Sequence, residues 1–415
     1  MRGLGRVGSN ARISILVLPM WSVFWGLVYF YSPLYMKENG LSEVQIGLAN
    51  TVNIVFAFLC QLVASPITNK LGRRRTTLIF DLLSWSASMA IWAIAHNVWF
   101  FLFAAIVNAF SKIVSVSWNC LITEDEKREN IPRIYMICSL INSSIGIFAL
   151  ASGFLIARYG LVDAMRTLYA VGAVSMAISF VTRHFVVEET SPGVKLMNEH
   201  DQTSLLTSVG NYLKMMLRLH ENRRFVLLAV VFITTNFILS LNLFQVIYLK
   251  DQLHFAERTI STVPFAIAVA NIVAFMLIIP RLRAIREERV LAACCATSLI
   301  GALLFLIIPP RNLVAMLAVM AANGVSLFIL QAYRDSIFMN SQGEHDKADM
   351  FSAVQTLTSL FCIPAGYVGG VLYKSHPALP FVLVAVFYLM ALAVSLSLLA
   401  SRPAHAVAES ASSLS

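Results

Sequence analysis

Lys112 is the residue with the most chemistry to explain. It stands near the middle of an apolar run, with Asn108, Ser115 and Asn119 at helical spacing on its own face and Phe, Ile, Val and Ala on the others. An ammonium at mid-membrane depth costs about 2.5–3.5 kcal/mol on insertion scales, so this face must look into protein or water. Three readings suit it: contact with an anionic solute, an internal ion pair, or a lysine that reaches out to the interface. A lysine buried without a fixed counter-charge is also a titratable group that could carry a coupled proton.

Carboxylates are scarce inside the apolar runs. Asp81 alone lies deep in one, close behind a cluster of arginines, where it could be a coupling group or, the favoured reading, a local ion pair bracing that loop. Glu124, Asp125, Glu126, Arg334 and Asp335 sit at expected helix ends and suit gate or loop pairs. Neutral polar residues draw a second outline: Asn50, Asn53 and Gln61, then Asn142, then Asn236, Asn242 and Gln245, then Asn323, Gln331 and Gln355. Amides inside apolar helices either touch a solute or pair with one another. Trp21, Trp25 and Tyr29 recur at i, i+4, i+8, a face that could stack on a planar solute or pack as an ordinary aromatic stripe.

Other chemistries find no residues. All eight histidines fall in expected loops, at helix ends or in the tail, and none has a carboxylate or cysteine at ligand or triad spacing. The six cysteines lie in apolar segments without a Cys-x-x-Cys pair, which implies neither a disulfide framework nor a metal centre. There is no Gly-x-x-x-x-Gly-Lys-Ser/Thr loop for ATP. No cofactor is expected.

The elements that must hold these residues follow from composition. Of 415 residues, 58% are hydrophobic and 13% charged, far from the roughly 45–50% and 25% of a soluble domain. Disordered chains, soluble enzymes and nucleic-acid binders are excluded. Runs long enough to cross a bilayer occur at 13–36, 43–66, 76–96, 98–122, 133–157 and 162–184, and again at 224–249, 258–280, 288–309, 312–337, 350–373 and 379–401. The expected fold is therefore an all-α integral membrane protein, twelve transmembrane helices in two parallel six-helix halves. Its domains are 1–184, a linker 185–223, a second half 224–401 and a disordered tail 402–415. Within the linker, Leu205, Leu206, Val209, Tyr212, Leu213, Met216 and Leu217 read as an amphipathic helix on the membrane surface.

Placing both termini on one side puts 23 of the 31 lysines and arginines there and seven on the other. The termini and linker are thus expected in the cytoplasm, of a plasma-membrane protein, and the net charge of +9 reflects topology rather than nucleic-acid binding.

After the second run comes Ser65-Pro66-Ile67-Thr68-Asn69-Lys70-Leu71-Gly72-Arg73-Arg74-Arg75. This resembles the signature loop of the major facilitator superfamily, Gly-x-x-x-Asp-Arg-x-Gly-Arg-Arg/Lys, at its usual place between helices 2 and 3. It matches at Lys70, Gly72, Arg73 and Arg74 and departs at Ser65 and Asn69, where the family has glycine and aspartate. The resemblance implies that Asn69, Lys70, Gly72, Arg73 and Arg74, with Asp81, Arg334 and Asp335, act in gating. Arg73–Arg75 equally suit an anchor for anionic lipid. It also implies a central cavity lined by helix 4, so the expected solute contacts are Lys112, Asn108, Trp25, Tyr29, Asn142, Asn236, Asn242, Gln245, Asn323 and Gln355.

The function so implied is a secondary transporter moving a small amphipathic or organic-anion solute by alternating access, as proton-coupled efflux. Uptake by the same fold is the alternative, and a non-transporting receptor or scaffold the rival from another class. The expected partners are membrane lipid, the solute and a coupled proton, with the chain acting as a monomer.

Overall fold

The computed structural model describes residues 8–127, 130–198, 223–282, 284–340 and 347–400. Among them there is only helix, turn and loop, and eleven helices are long and apolar enough to cross a membrane. In chain order they are α1 (Ser9–Glu38), α2 (Glu43–Leu71), α4 (Val98–Thr123), α5 (Ile134–Tyr159), α6 (Leu161–Val186), α7 (Arg223–Asp251), α8 (Glu257–Leu277), α9 (Glu287–Leu306), α10 (Leu313–Phe338), α11 (Ala353–Ser375) and α12 (Leu379–Ala400). A further helix, α3 (73–93), is not among the eleven. Its Asp81, Ser84, Ser86 and Ser88 dilute its hydropathy, and residues Leu82–Ala87 widen into a π-helical turn. All four polar side chains are buried in protein.

Although less apolar, α3 runs the same course as its neighbours. Arg73 at its start meets Glu124 at the end of α4, and Trp92 near its far end meets Tyr35 of α1, whose hydroxyl donates to the Trp92 carbonyl at 2.9 Å.

The packing repeats. In the first set α1 packs on α5 and α6, α4 on α2 and α3, and α3 on α6. In the second set α7 packs on α11 and α12, α10 on α8 and α9, and α9 on α12. The sets meet along two seams, α2 on α11 and α5 on α8. Small residues make these seams close, because a backbone can approach another only where no side chain intervenes. A Cβ on Gly47 would run into the Gly366 carbonyl, and one on Gly146 into that of Pro264.

A second repeat is local. α1 tightens into a 3₁₀ turn at Tyr29–Tyr31 and continues through Leu34-Tyr35-Met36-Lys37-Glu38; α7 does so at Asn242–Phe244 and continues through Ile247-Tyr248-Leu249-Lys250-Asp251. Away from the protein interior the helices present an apolar face, with Phe103, Phe154, Val174, Ile178, Ile300 and Leu389 all exposed. Such a surface requires lipid.

After α6 the chain forms a short helix, Ser191–Asn198. The amphipathic segment expected at 205–217 and the tail 402–415 lie outside the described residues.

Candidate functional site

Between the two sets lies a cavity of about 940 Å³. Lys112 reaches it because α4 tightens just before it: the Phe110 carbonyl accepts from Ile113 N–H at 2.9 Å, an i to i+3 bond that bends the helix. Lys112 is exposed to this space, and among the described residues it has neither an ion pair nor a hydrogen bond. No carboxylate of the described residues lines the cavity, so Lys112 is its single formal charge. An ammonium so placed is solvated by cavity water or paired by a solute anion.

Amides surround it. Asn142 on α5 and Tyr29 at the α1 break line the cavity from the first set. Asn236, Asn242 and Gln245 of α7, Asn323 of α10 and Gln355 of α11 line it from the second. Some of these groups are already engaged: Asn236 donates to the Phe232 carbonyl at 2.9 Å, and Gln245 to the Met320 sulfur at 3.2 Å. Asn142, Asn242, Gln331 and Gln355 have no side-chain partner among the described residues.

Two expected contacts stand elsewhere. Asn108 does not line the cavity; it donates to the Ser84 carbonyl at 2.9 Å and holds α4 against the π turn of α3. Trp25 is also outside. It stacks with Trp21 and meets the edge of Trp85 on α3 at 5.1 Å, so the aromatic face is a packing seam with only Tyr29 at its cavity end. Conversely, Asn50, Asn53 and Asn271 line the cavity. Asn271 carried a readable signal, a lone amide in the apolar α8, that sequence reasoning passed over.

The arginine loop makes a different structure. Gly72 has φ +82° and ψ 161°, a conformation open essentially to glycine alone. Arg73 is buried and grips Glu124 through two nitrogens, at 2.9 and 2.8 Å. The Glu189 carboxylate, just beyond α6, accepts from the backbone N–H of Arg73 at 2.8 Å and of Arg74 at 2.9 Å, capping α3 where its dipole is positive. Arg74 donates to the His184 carbonyl at 2.8 Å. Burial alone would push the Glu124 carboxyl up, but the hydrogen bonds from Arg73 and Thr190 hold it below the usual carboxylate range.

Every hydrogen-bonding partner of this loop precedes residue 199, so in this structure it fastens α3 to α4 and α6 and reaches no described residue of α7–α12. Asn69 is half-buried and Lys70 exposed, and neither has a side-chain partner among the described residues. Asp81 pairs with Arg183 of α6, not with the loop arginines. Arg334 is buried too: it donates to Asp335 at 2.8 Å and to Thr235 of α7 at 2.6 Å, with its guanidinium 3.9 Å from the Phe232 ring centre.

Ion pairs that cross between the sets occur only on the side opposite the termini, among the described residues. Lys37 joins Asp251, and Lys250 joins Glu38. There one apolar cluster is continuous from Tyr31 and Leu34 to Phe244, Ile247 and Tyr373. On the side of the termini the buried clusters belong to one set or the other. The cavity is thus sealed on one side by polar and apolar contacts that the described residues do not make on the other.

The sequence model of the Major Facilitator Superfamily matches residues 13–366. None of the curated proteins matches the chain. Among solved structures, that of the nucleoside transporter NupG superposes with a TM-score of 0.70 at 12% identity, covering 95% of this chain and 99% of that one. A POT family transporter in complex with 5-aminolevulinic acid gives 0.66 at 13%, covering 96% and 98%. The same family with a thioalcohol-conjugated peptide gives 0.65 at 14%, with the same coverage. At these identities the likeness is one of fold.

Proposed function

We infer that this chain, which belongs to the major facilitator superfamily, is a twelve-span secondary transporter that carries a small polar organic anion through the Lys112 cavity. Membership makes it a multi-pass membrane transporter and not an enzyme. The observation that carries the finer reading is that Lys112 is the one charge among the described residues lining a cavity otherwise walled by amides, hydroxyls and apolar groups.

In this reading α3 is the twelfth span, and residues 9–186 and 223–400 are the two halves. The repeated packing and the repeated helix breaks support both assignments. The halves rock about their two seams. The excess of lysine and arginine on their side supports cytoplasmic termini, the membrane in this reading being the plasma membrane. The clasp between α1 and α7 then closes the outside, and this structure is the inward-facing state. The cavity is complete within one chain, which supports action as a monomer.

The polarity of the lining favours uptake of a polar solute over expulsion of an amphipathic one, since the tryptophans that would serve the latter are packed away. The nucleoside and peptide transporters of like fold point the same way. A chain without an ATP loop draws on a gradient, and a proton taken up in the cavity would be held at Lys112.

Transport into proteoliposomes under an imposed pH gradient tests this. Lys112→Met should abolish anion transport, whereas Lys112→Arg keeps the charge and should bind the anion but lose the pH response. Wild-type transport with an unchanged pH response in Lys112→Met would show that Lys112 is structural.

A further inference from the structure

The cavity's charge and its idle hydrogen-bonding groups constrain the solute beyond its sign. Among the described lining residues Lys112 supplies the single cation, and none is a carboxylate that could receive an ammonium. A solute bearing a positive group would carry it into a space whose fixed charge has the same sign, without a counter-ion. The remaining polar groups are neutral. Asn142, Asn242, Gln331 and Gln355 line the cavity with no side-chain partner among the described residues. Asn271 lines it with a buried Oδ1 that accepts no hydrogen bond from the described residues. An orphaned buried acceptor is costly unless something fills it. The side-chain carbonyls and amide N–H groups of these five residues offer both acceptors and donors. They are spread over α5, α7, α8, α10 and α11, whereas Lys112 is on α4.

Resting on the assignment of Lys112 as the anion contact, we propose that the solute is a net anion whose other end is neutral and rich in hydrogen-bonding groups, such as hydroxyls or a cyclic amide edge. Zwitterions, cations and neutral analogues of the same skeleton are rejected. Lys112 holds the anionic group, and the amides of the second set, with Asn271 foremost, hold the neutral end.

Four open-chain six-carbon polyols separate these classes: gluconate (anion), glucosaminate (zwitterion), glucitol (neutral) and glucamine (cation). Binding to the purified full chain is read by ligand-induced thermal shift. Gluconate should bind at least tenfold more tightly than the other three. Asn271→Ala should weaken gluconate three- to tenfold, and Lys112→Met should remove the preference for the anion. Equal binding of gluconate and glucosaminate, with Lys112→Met still weakening both, would overturn the proposal and leave the anion site standing. Gluconate binding untouched by Lys112→Met would overturn the anion site itself.

A second measurement decides the charge rule even if none of the four is carried. In a Gln355→Cys, Cys362→Ser chain, an anionic methanethiosulfonate should label the cavity thiol at least tenfold faster than a cationic one, each relative to its rate with a free thiol in solution. Lys112→Met should cancel that ratio. A cation preference in the Lys112 chain would overturn the proposal.

Discussion

Lys37 Nζ lies 2.5 Å from Asp251 Oδ2, joining the end of α1 to the end of α7. The matching lysine of α7, Lys250, answers across the same gap with Glu38 at 2.6 Å. The clasp is reciprocal because each helix ends in a lysine followed by a carboxylate, and each lysine takes the carboxylate of the other helix. Each lysine also has a second carboxylate, Glu43 at 2.8 Å for Lys37 and Glu257 at 2.7 Å for Lys250, which would retain it on opening.

These pairs are part-exposed, so each contributes about 0.2–1 kcal/mol. On the orientation proposed above, Lys37→Ala should therefore favour the outward-open state by no more than about fivefold, and the exchange Lys37→Asp with Asp251→Lys should restore the balance. Labelling of a Gln245→Cys thiol by an impermeant reagent from outside reads the shift. An unchanged labelling rate would show that apolar packing alone closes this side.

Glycine contact at the α2–α11 seam is a stronger closure. With a side chain at Gly47 the Gly366 carbonyl has nowhere to go. Gly47→Val should hold the outer side open and stop transport while the protein remains monodisperse on size exclusion. The same Gln245→Cys labelling should then rise well beyond the Lys37→Ala effect.

Gly72 and Gly160 share a backbone conformation, φ +82° and +80°, but not surroundings. The Cβ of an alanine at Gly160 would meet nothing within 4 Å, while at Gly72 it would collide with the Glu189 carboxylate and the Met197 sulfur. Both substitutions bear the backbone strain of about 1–3 kcal/mol. Gly72→Ala should lower Tm further than Gly160→Ala, and in a Glu189→Ala background the gap should narrow.

The Arg73–Glu124 pair has a pH signature. Because Glu124 is held below its ordinary value of 4.5, its contribution to stability is fully present above that value and is lost as pH falls through the depressed one. Thermal unfolding should show no Glu124-dependent change between about pH 8 and 5.5. Below pH 4.5 wild type should lose Tm more steeply than Glu124→Gln; parallel slopes would mean the pair contributes nothing.

Membrane class, the places of eleven spans and the arginine loop were legible in the sequence, because a bilayer demands about 20 apolar residues per crossing and a loop of fixed spacing needs no tertiary partner. The amide outline was legible as a set: Asn142, Asn236, Asn242, Gln245, Asn323 and Gln355 all line the cavity. Lys112 could be flagged because an unpaired charge in an apolar run is anomalous on its own. Which way a polar residue turns was not legible. Asn108 lies one turn from Lys112 and was expected to share its cavity, yet it bonds to the Ser84 carbonyl, because the bend at Phe110 separates their directions and the π turn of α3 presents an acceptor. Trp25 and Tyr29 likewise lie on one helical stripe that the 3₁₀ turn and the edge of Trp85 divide between packing and cavity. Partners distant in the chain were invisible for a related reason. Lys37 with Asp251, Asp81 with Arg183 and the Glu189 cap on α3 are matters of which helices become neighbours, and hydropathy says nothing about that. Packing of the helices against one another decided these contacts, by bringing together helix ends that composition could only place at the membrane surface.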